Sequence, residues 1–349
     1  MKSMKPVILW LSLVCLLVYI MVLVGGVTRI TDSGLSMVEW RPIMGALPPT
    51  SDAEWNRVFE LYRQSPEYEH FNAGMSLGDF KQIFFWEWFH RLIGRLIGVV
   101  YFLPLLFFQV RGYFKEHPGL TKKLWIGFFL GGSQGLLGWF MVKSGLIEHP
   151  DVSHYRLAAH LGLALIIFCY LFWILLSLVR RISPSKPIQP SAQYKYALGF
   201  TGLLAVQILW GAFTAGLKAG YGHNTFPDMT GRFFPHGGLD LAPLWINFFE
   251  NNATVQFVHR SLGWGLVALG LIMVMVTFLN NKDRIQRACV SLVFAALILQ
   301  FLLGVGVIVL KVPMGLAVVH QSGAFVLLMA SITFLHLQRF PLKQQSQPV

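Results

Sequence analysis

Charge is what this sequence has least of. Only 13% of its 349 residues are Asp, Glu, Lys or Arg, while 55% are hydrophobic and the mean hydropathy is +0.57. That balance excludes an ordinary soluble domain and a disordered chain, and it points to an integral membrane protein. Cysteine is scarce as well. Cys15, Cys169 and Cys289 each fall inside an apolar run, so neither a disulfide framework nor a CxxC metal site is available. Alternating segments of about ten residues are missing, which argues against a β-barrel. No Arg- and Ser-rich transit segment opens the chain. A short stretch with Lys2 and Lys5 leads into the first apolar run without a small-x-small cleavage site. That run is expected to be a retained helix, and a bacterial inner membrane is the simplest compartment.

A hydrocarbon core about 30 Å thick takes roughly 20 apolar residues as a helix. Eight runs qualify, at about 8–27, 84–108, 124–143, 157–179, 196–216, 255–279, 288–310 and 317–336. The expected fold is an all-α integral membrane protein whose eight transmembrane helices form two parallel-repeat four-helix bundles, over residues 1–180 and 181–349. The net charge of +12 invites a nucleic-acid partner, but its distribution argues otherwise. The N-terminus, the even-numbered loops and the C-terminus hold 15 of the 28 Lys and Arg, against two acids, Glu116 and Asp283. This is the positive-inside pattern, with both termini cytoplasmic, and the partner it implies is membrane lipid rather than nucleic acid.

Against this apolar background four histidines stand out. His90 and His160 lie in the first half, His259 and His320 in the second, each a few residues inside a span. Ionisable side chains in a bilayer are costly and mark functional sites by default. Paired histidines on facing helices can hold a haem iron from both sides, so two pairs suggest two haem sites. The surrounding sequence repeats: His90-Arg91-Leu92-Ile93-Gly94 matches His259-Arg260-Ser261-Leu262-Gly263, and Gln134-Gly135-Leu136-Leu137-Gly138 matches Gln300-Phe301-Leu302-Leu303-Gly304. A weaker echo pairs G-x-x-T at 25–28 with 211–214. With four helices per half, both halves share one orientation, and each key histidine starts a helix running inward from the outer face. All four imidazoles are then about 5–10 Å below the outer surface. A single intramembrane histidine is commonly a hydrogen-bond partner between helices; four at matched depth and repeat-related positions favour ligation. Zinc would want four ligands at tetrahedral spacing, and no H-x-x-x-H pair supplies them.

The halves differ at one position. Glu87 precedes His90 by three residues, where Gln256 precedes His259. An amide can position a ligand, whereas a carboxylate in a low-dielectric cleft can also give and take a proton. The asymmetric reading is that the first half does chemistry and the second carries electrons. The structural reading is that Glu87 is an interfacial carboxylate bonded to a loop or to Arg91. A di-iron carboxylate site would need further Glu or Asp within the spans, and apart from Glu87 none falls clearly inside one. Arg91, Arg260 and Arg29 suit haem propionates, with snorkelling to the headgroups as the competing account of Arg91 and Arg260. Arg95, one turn further in, fits snorkelling poorly. Two long outer loops, 28–83 with Trp40 and Trp55 and 217–254 with His223 and His236, could cap the haems; those two histidines read as surface residues. Gln134 and Gln300 read as helix–helix hydrogen-bond partners.

Seven stretches together resemble the haem A synthase family: GGVTRITDSGLSM (25–37), WRPIMGALPP (40–49), EWFHRLIGR (87–95), HYRLAAHLG (154–162), NTFPDM (224–229), QFVHRSLGW (256–264) and VVHQ (318–321). They span both halves and both outer loops. The resemblance implies that His259 and His320 are axial ligands of a resident haem b and that His90 and His160 bind substrate haem O or product haem A. It makes Glu87 the essential acid beside the substrate. The implied reaction oxidises the C8 methyl of haem O twice; the gem-diol loses water to leave a formyl group, and haem b relays the electrons. A haem O synthase, the protohaem farnesyltransferase, is the implied supplier of substrate. Some family members carry a cysteine pair in the first outer loop; this chain has none there. The competing expectation is a di-haem, cytochrome b-like quinol oxidoreductase, with two permanent haems b and no reason for Glu87 to differ from Gln256. A transporter of parallel repeats would instead place polar or broken helices at mid-membrane. Helix faces cannot be sorted into lipid-facing and partner-facing from one sequence, so a homo-oligomer stays open.

Overall fold

In the computed structural model the described residues are 2–39, 44–117, 119–145, 152–180, 191–280 and 283–340. Trp40 and the expected boundary after residue 180 fall at or outside their edges. The described residues form helices and loops only. In chain order these are α1 (Lys5–Ile30), the short outer helices α2 (Asp52–Arg63) and α3 (Pro66–Phe71), α4 (Leu77–Val110), α5 (Leu120–Gly145), α6 (His154–Val179), α7 (Ala192–Gly216), the single turn α8 (Asn247–Glu250), α9 (Asn252–Asn280), α10 (Arg284–Val309) and α11 (Met314–Arg339). Eight of them are long and apolar enough to cross a membrane, one for each expected span. Lipid offers no partner for a free backbone N–H or C=O, so a spanning segment has to satisfy them all within itself as a helix.

Two compact units divide the chain: Met1–Leu171 with Ala215–Leu217, and Phe172–Thr214 with Lys218–Val349. The division falls inside α6 rather than in the loop after it. The reason lies at the inner end of the second unit. Arg180 donates to His336 Nδ1 at 2.8 Å and to its main-chain oxygen at 3.1 Å, and Ser177 Oγ lies 3.0 Å from His336 Nε2. His336 is fully buried, and these bonds fasten the last turn of α6 to α11.

In the first unit α1 packs along α4. Val7, Leu11, Val14 and Val18 of α1 and Tyr101, Leu105 and Phe108 of α4 are buried. Two polar pins cross the apolar seam: Trp10 Nε1 donates to Val100 O at 2.8 Å, and the Tyr101 hydroxyl to Leu124 O at 2.7 Å. A bonded indole or phenol is tolerated in a core where an unbonded one would cost several kcal/mol. α4 begins seven residues before the expected span at 84, because its first two turns belong to an outer aromatic layer rather than to the bilayer. There Phe80 and Phe84 meet Phe59 and Tyr62 of α2, with Tyr62 stacked on Phe80 at 5.0 Å. Serine caps start these outer helices: Ser51, Ser65 and Ser76 accept from the main-chain N–H of Glu54, Tyr68 and Asp79.

In the second unit α10 packs against both α9 and α11, burying Leu266, Met273, Val293, Leu297, Phe325 and Ile332. Gly270 lets α9 approach α10 closely; a Cβ there would stand 2.8 Å from Leu297 Cδ2.

Candidate functional site

The four histidines share one local construction. Each imidazole lies against a glycine of another helix in its own unit. A Cβ added at Gly25 of α1 would stand 3.2 Å from His90 Nε2, and one at Gly138 of α5 would stand 2.9 Å from His160 Cε1. In the second unit Gly211 of α7 meets His259 Cε1 at 3.3 Å and Gly304 of α10 meets His320 Cε1 at 2.8 Å. Gly25 and Gly211 are the glycines of the repeated G-x-x-T, and Gly138 and Gly304 end the repeated Q-x-x-x-G. The internal echoes therefore mark the surfaces on which the rings rest. All four rings are half-buried. His90 and His160 belong to the first unit and His259 and His320 to the second.

The glutamines touch the rings too. Gln134 Nε2 donates to His160 O at 3.0 Å and lies 3.2 Å from its Nδ1; Gln300 Nε2 donates to His320 O at 2.8 Å and lies 3.0 Å from its Nδ1. Sequence reasoning treated them as helix–helix bonds, which they are, but missed that the bonded partner is the histidine itself. Repeat-related placement was the available signal. Gln207, one turn before Gly211, was missed altogether; its Nε2 lies 3.5 Å from His259 Nε2. The first unit has Met21 four residues before Gly25, and Met21 packs on Gly94.

Glu87 and Gln256 occupy equivalent places and do different things. Glu87 is buried, with 2% of its surface exposed. Its Oε2 accepts from Ser36 Oγ and from the Met37 N–H, each at 2.7 Å, and its Oε1 is ion-paired with Arg91. Arg91 also donates to Met37 O at 3.2 Å. The carboxylate thus has both partners that the structural reading names, a loop and Arg91, and it is held fixed one turn above His90. Gln256 is fully buried; its Nε2 donates to His223 O at 3.2 Å. Arg260 reaches three carbonyls of the same loop, His223 at 2.6 Å, Thr225 at 2.8 Å and Asp228 at 2.9 Å. Both arginines are tied to their outer loops instead of extending to headgroups. Arg29 likewise pairs with Asp32 at 2.7 Å and donates to Gly216 O at 2.9 Å.

The two loop histidines part company. His236 is exposed, but His223 is half-buried, because Arg260 and Gln256 draw its carbonyl inward. Burial and the nearby Arg260 charge push the His223 imidazole below its ordinary value. Asp228 is held below the usual carboxylate range by the Thr225 hydroxyl and the Gly231 N–H, which order the turn beneath it. Trp55 sits in α2, edge-on to Phe84 at 5.1 Å.

A haem held by two imidazoles needs facing ring nitrogens, room beside the rings and polar groups for its propionates. In the second unit six buried polar atoms have no partner among the described residues: Gln207 Oε1, Trp210 Nε1, Gln256 Oε1, His259 Nδ1, Arg260 Nε and Gln300 Oε1. Buried polar groups are seldom left unbonded, and a cluster of them around one histidine pair is what a polar-edged ligand site presents. With the glycine surfaces under both rings, these residues fit a haem.

The chain matches the model of a cytochrome oxidase assembly protein family, COX15-CtaA, over residues 8–332. Among curated proteins it is similar to the haem A synthase of Nitrosospira multiformis, 44% identical over 336 residues, which covers 95% of this chain and 93% of that one. The haem A synthase of Nitrosomonas eutropha is also 44% identical, over 334 residues, 95% of this chain and 93% of that protein. That of Rhodospirillum centenum is 44% identical over 343 residues, 97% and 89% of the two chains.

Proposed function

Since the chain belongs to the COX15-CtaA family of cytochrome oxidase assembly proteins, we propose that it is a haem A synthase, converting haem O to haem A in a bacterial inner membrane. The observation that carries this reading is one histidine frame used twice, with a carboxylate above it in the first unit and an amide in the second.

The first unit takes the substrate. His90 and His160 would hold the haem O iron, and Gly25 and Gly138 give their rings a close seat on the neighbouring helices. The C8 methyl would pass through hydroxymethyl to gem-diol, which loses water to leave the formyl group; with water as the oxygen source the sum is one water consumed and four protons and four electrons released, the electrons leaving to a membrane acceptor. Glu87 is the proton-handling residue of this site. Ser36 and the Met37 N–H hold one carboxyl oxygen and Arg91 the other, so the group keeps one orientation a turn away from His90. Such fixed geometry is what acid–base catalysis requires.

In the second unit His259 and His320 would hold haem b, and that group, when bound, would supply one-electron transfer chemistry. Arg260 Nε, buried and without a partner among the described residues, is assigned to a haem propionate. Arg91 contributes the same charge at the repeat-related position. The positive-inside charge pattern supports cytoplasmic termini and puts both sites near the periplasmic face. Haem O is too apolar to travel through water, so a membrane-bound haem O synthase is its source.

Co-expression with a haem O synthase in a host lacking haem A, followed by haem extraction and chromatography, tests this. The wild-type chain yields a formyl haem. Glu87→Gln, which keeps the shape but loses the acid, leaves haem b bound and stops formyl-haem formation. An unchanged formyl-haem yield from that variant overturns the role of Glu87. Two bound haems b with haem O untouched would establish the di-haem carrier instead.

A further inference from the structure

In the second unit the two histidines are held unequally. His160 and His320 are each gripped from two sides by the preceding helix. One side is the glutamine, whose Nε2 bonds the histidine main-chain oxygen; that of Gln300 lies 3.0 Å from His320 Nδ1, while that of Gln134 lies 3.2 Å from Nδ1 and 3.3 Å from Nε2 of His160. The other is the glycine one turn later, beneath the ring edge. The Q-x-x-x-G repeat is thus a holder for one imidazole. His259 is held differently: Gln207 and Gly211 of α7 repeat the Q-x-x-x-G spacing, but the Gln207 amide lies 3.5 Å from Nε2, and Nδ1 is buried without a partner among the described residues.

The amide oxygens supply the second observation. Oε1 of Gln134 and of Gln300 is buried without a partner among the described residues. Space is kept for the Gln300 oxygen by Gly323 of α11, where a Cβ would clash with it. A neutral imidazole carries one proton. While that proton is on Nε2, Nδ1 accepts from the amide NH2. Once iron takes the Nε2 lone pair, the proton moves to Nδ1 and needs an acceptor. Turning the amide about its last bond presents Oε1 for that purpose, in exchange for the bond to the histidine main-chain oxygen.

We propose that Gln300 is a positioning residue that selects the iron-binding tautomer of His320 and makes it the anchored ligand of the second unit's haem. This rests on the haem-binding reading above. An acceptor on Nδ1–H raises the electron donation of the ring and favours oxidised iron, in addition to fixing its orientation. A glutamine that merely joined two helices would do neither.

The test uses full-length protein purified with its haem b. Gln300→Leu removes the acceptor and keeps the bulk; Gln300→Glu keeps an acceptor and strengthens it. The expected results are a raised haem b midpoint potential and about tenfold faster haem loss to apomyoglobin for the leucine variant, and a lowered potential with haem retained for the glutamate variant. A wild-type potential in either variant, or shifts of the same sign in both, overturns the proposal. Should the leucine variant fail to assemble, the glutamate variant decides alone: an unchanged or raised potential refutes. A wild-type protein purified without any haem would instead overturn the haem-binding reading itself.

Discussion

Replacing Gly304 by alanine puts a single methyl group under the His320 ring and tests whether that surface is part of a ligand site. The added Cβ would stand 2.8 Å from Cε1, 3.4 Å from Nε2 and 3.6 Å from Nδ1. Carbon atoms pack at about 3.5–4.0 Å, so the ring has to retreat by roughly 0.7 Å or more. Gln300 holds it by Nδ1 and the main-chain oxygen, which hinders an escape by swinging. Iron–ligand distances tolerate only about 0.2 Å, so the bond from His320 fails while that from His259 survives. For the helix itself the change is favourable, since alanine stabilises a helix interior by about 1 kcal/mol over glycine. The expected protein therefore folds and inserts at wild-type yield but binds haem b at least 100-fold more weakly, an effect larger than the 10- to 100-fold typical of changes outside the ligands themselves. Any haem that remains is high-spin. Haem per polypeptide by pyridine haemochrome, with optical and EPR spectra for the spin state, measures this. The control is Gly202→Ala, on α7 of the same unit, where no atom lies within 4 Å of the added Cβ. A full complement of low-spin haem b in Gly304→Ala would refute the argument that His320 is a ligand seated on this glycine.

Two further perturbations address the outer loops. Ser36→Ala removes the hydroxyl that donates to Glu87 at 2.7 Å. A buried hydrogen bond to a carboxyl oxygen contributes roughly 1–3 kcal/mol, so formyl-haem formation should fall by about tenfold with haem b content unchanged; equal loss of both would make the serine a folding residue only. The depressed His223 value means that the folded loop binds fewer protons than the unfolded one. Its stability is then full above the unfolded value of about 6.5 and declines as pH falls from there towards the folded value. Hydrogen exchange of the main chain at 223–231, corrected for intrinsic rates, should rise between pH 7 and 5.5 in the wild type and stay flat in His223→Gln.

The eight spans were legible because a bilayer imposes one crude demand, about 20 apolar residues, and the chain meets it eight times. Their ends were less so. Hydropathy registers where lipid begins, not where a helix begins, so the outer turns of α4 were invisible to it. The outer helices carried a different signal, Ser51 with Glu54 and Ser76 with Asp79, which is cap chemistry rather than hydropathy. At the site, sequence alone found the histidines, Glu87 and the arginines, because polar groups in apolar runs stand out. It named Arg91 as a partner of Glu87 but not the other groups the arginines hold. Their partners at Met37, His223, Thr225 and Asp228 are main-chain carbonyls, which every residue type possesses and no sequence pattern displays. The histidine–glycine contacts were half legible: the repeats exposed the glycines, but only the packing shows that a missing side chain is what makes room for each ring.

The same dependence on carbonyls bears on how the second outer loop can evolve. Arg260 and Gln256 secure it through atoms that substitution does not change. Asn224, whose Nδ2 donates to Gly220 O and Ile308 O at 2.9 Å, Phe226, whose ring stacks on Trp264, and Asp228 constrain the path, while exposed side chains beyond the grip, such as Arg232 and His236, can change as long as the backbone follows the same course. Such a loop can exchange its outward chemistry, and with it the molecules it meets outside the membrane, without loosening its hold above the histidines. In that sense it is a stable mount with an interchangeable face.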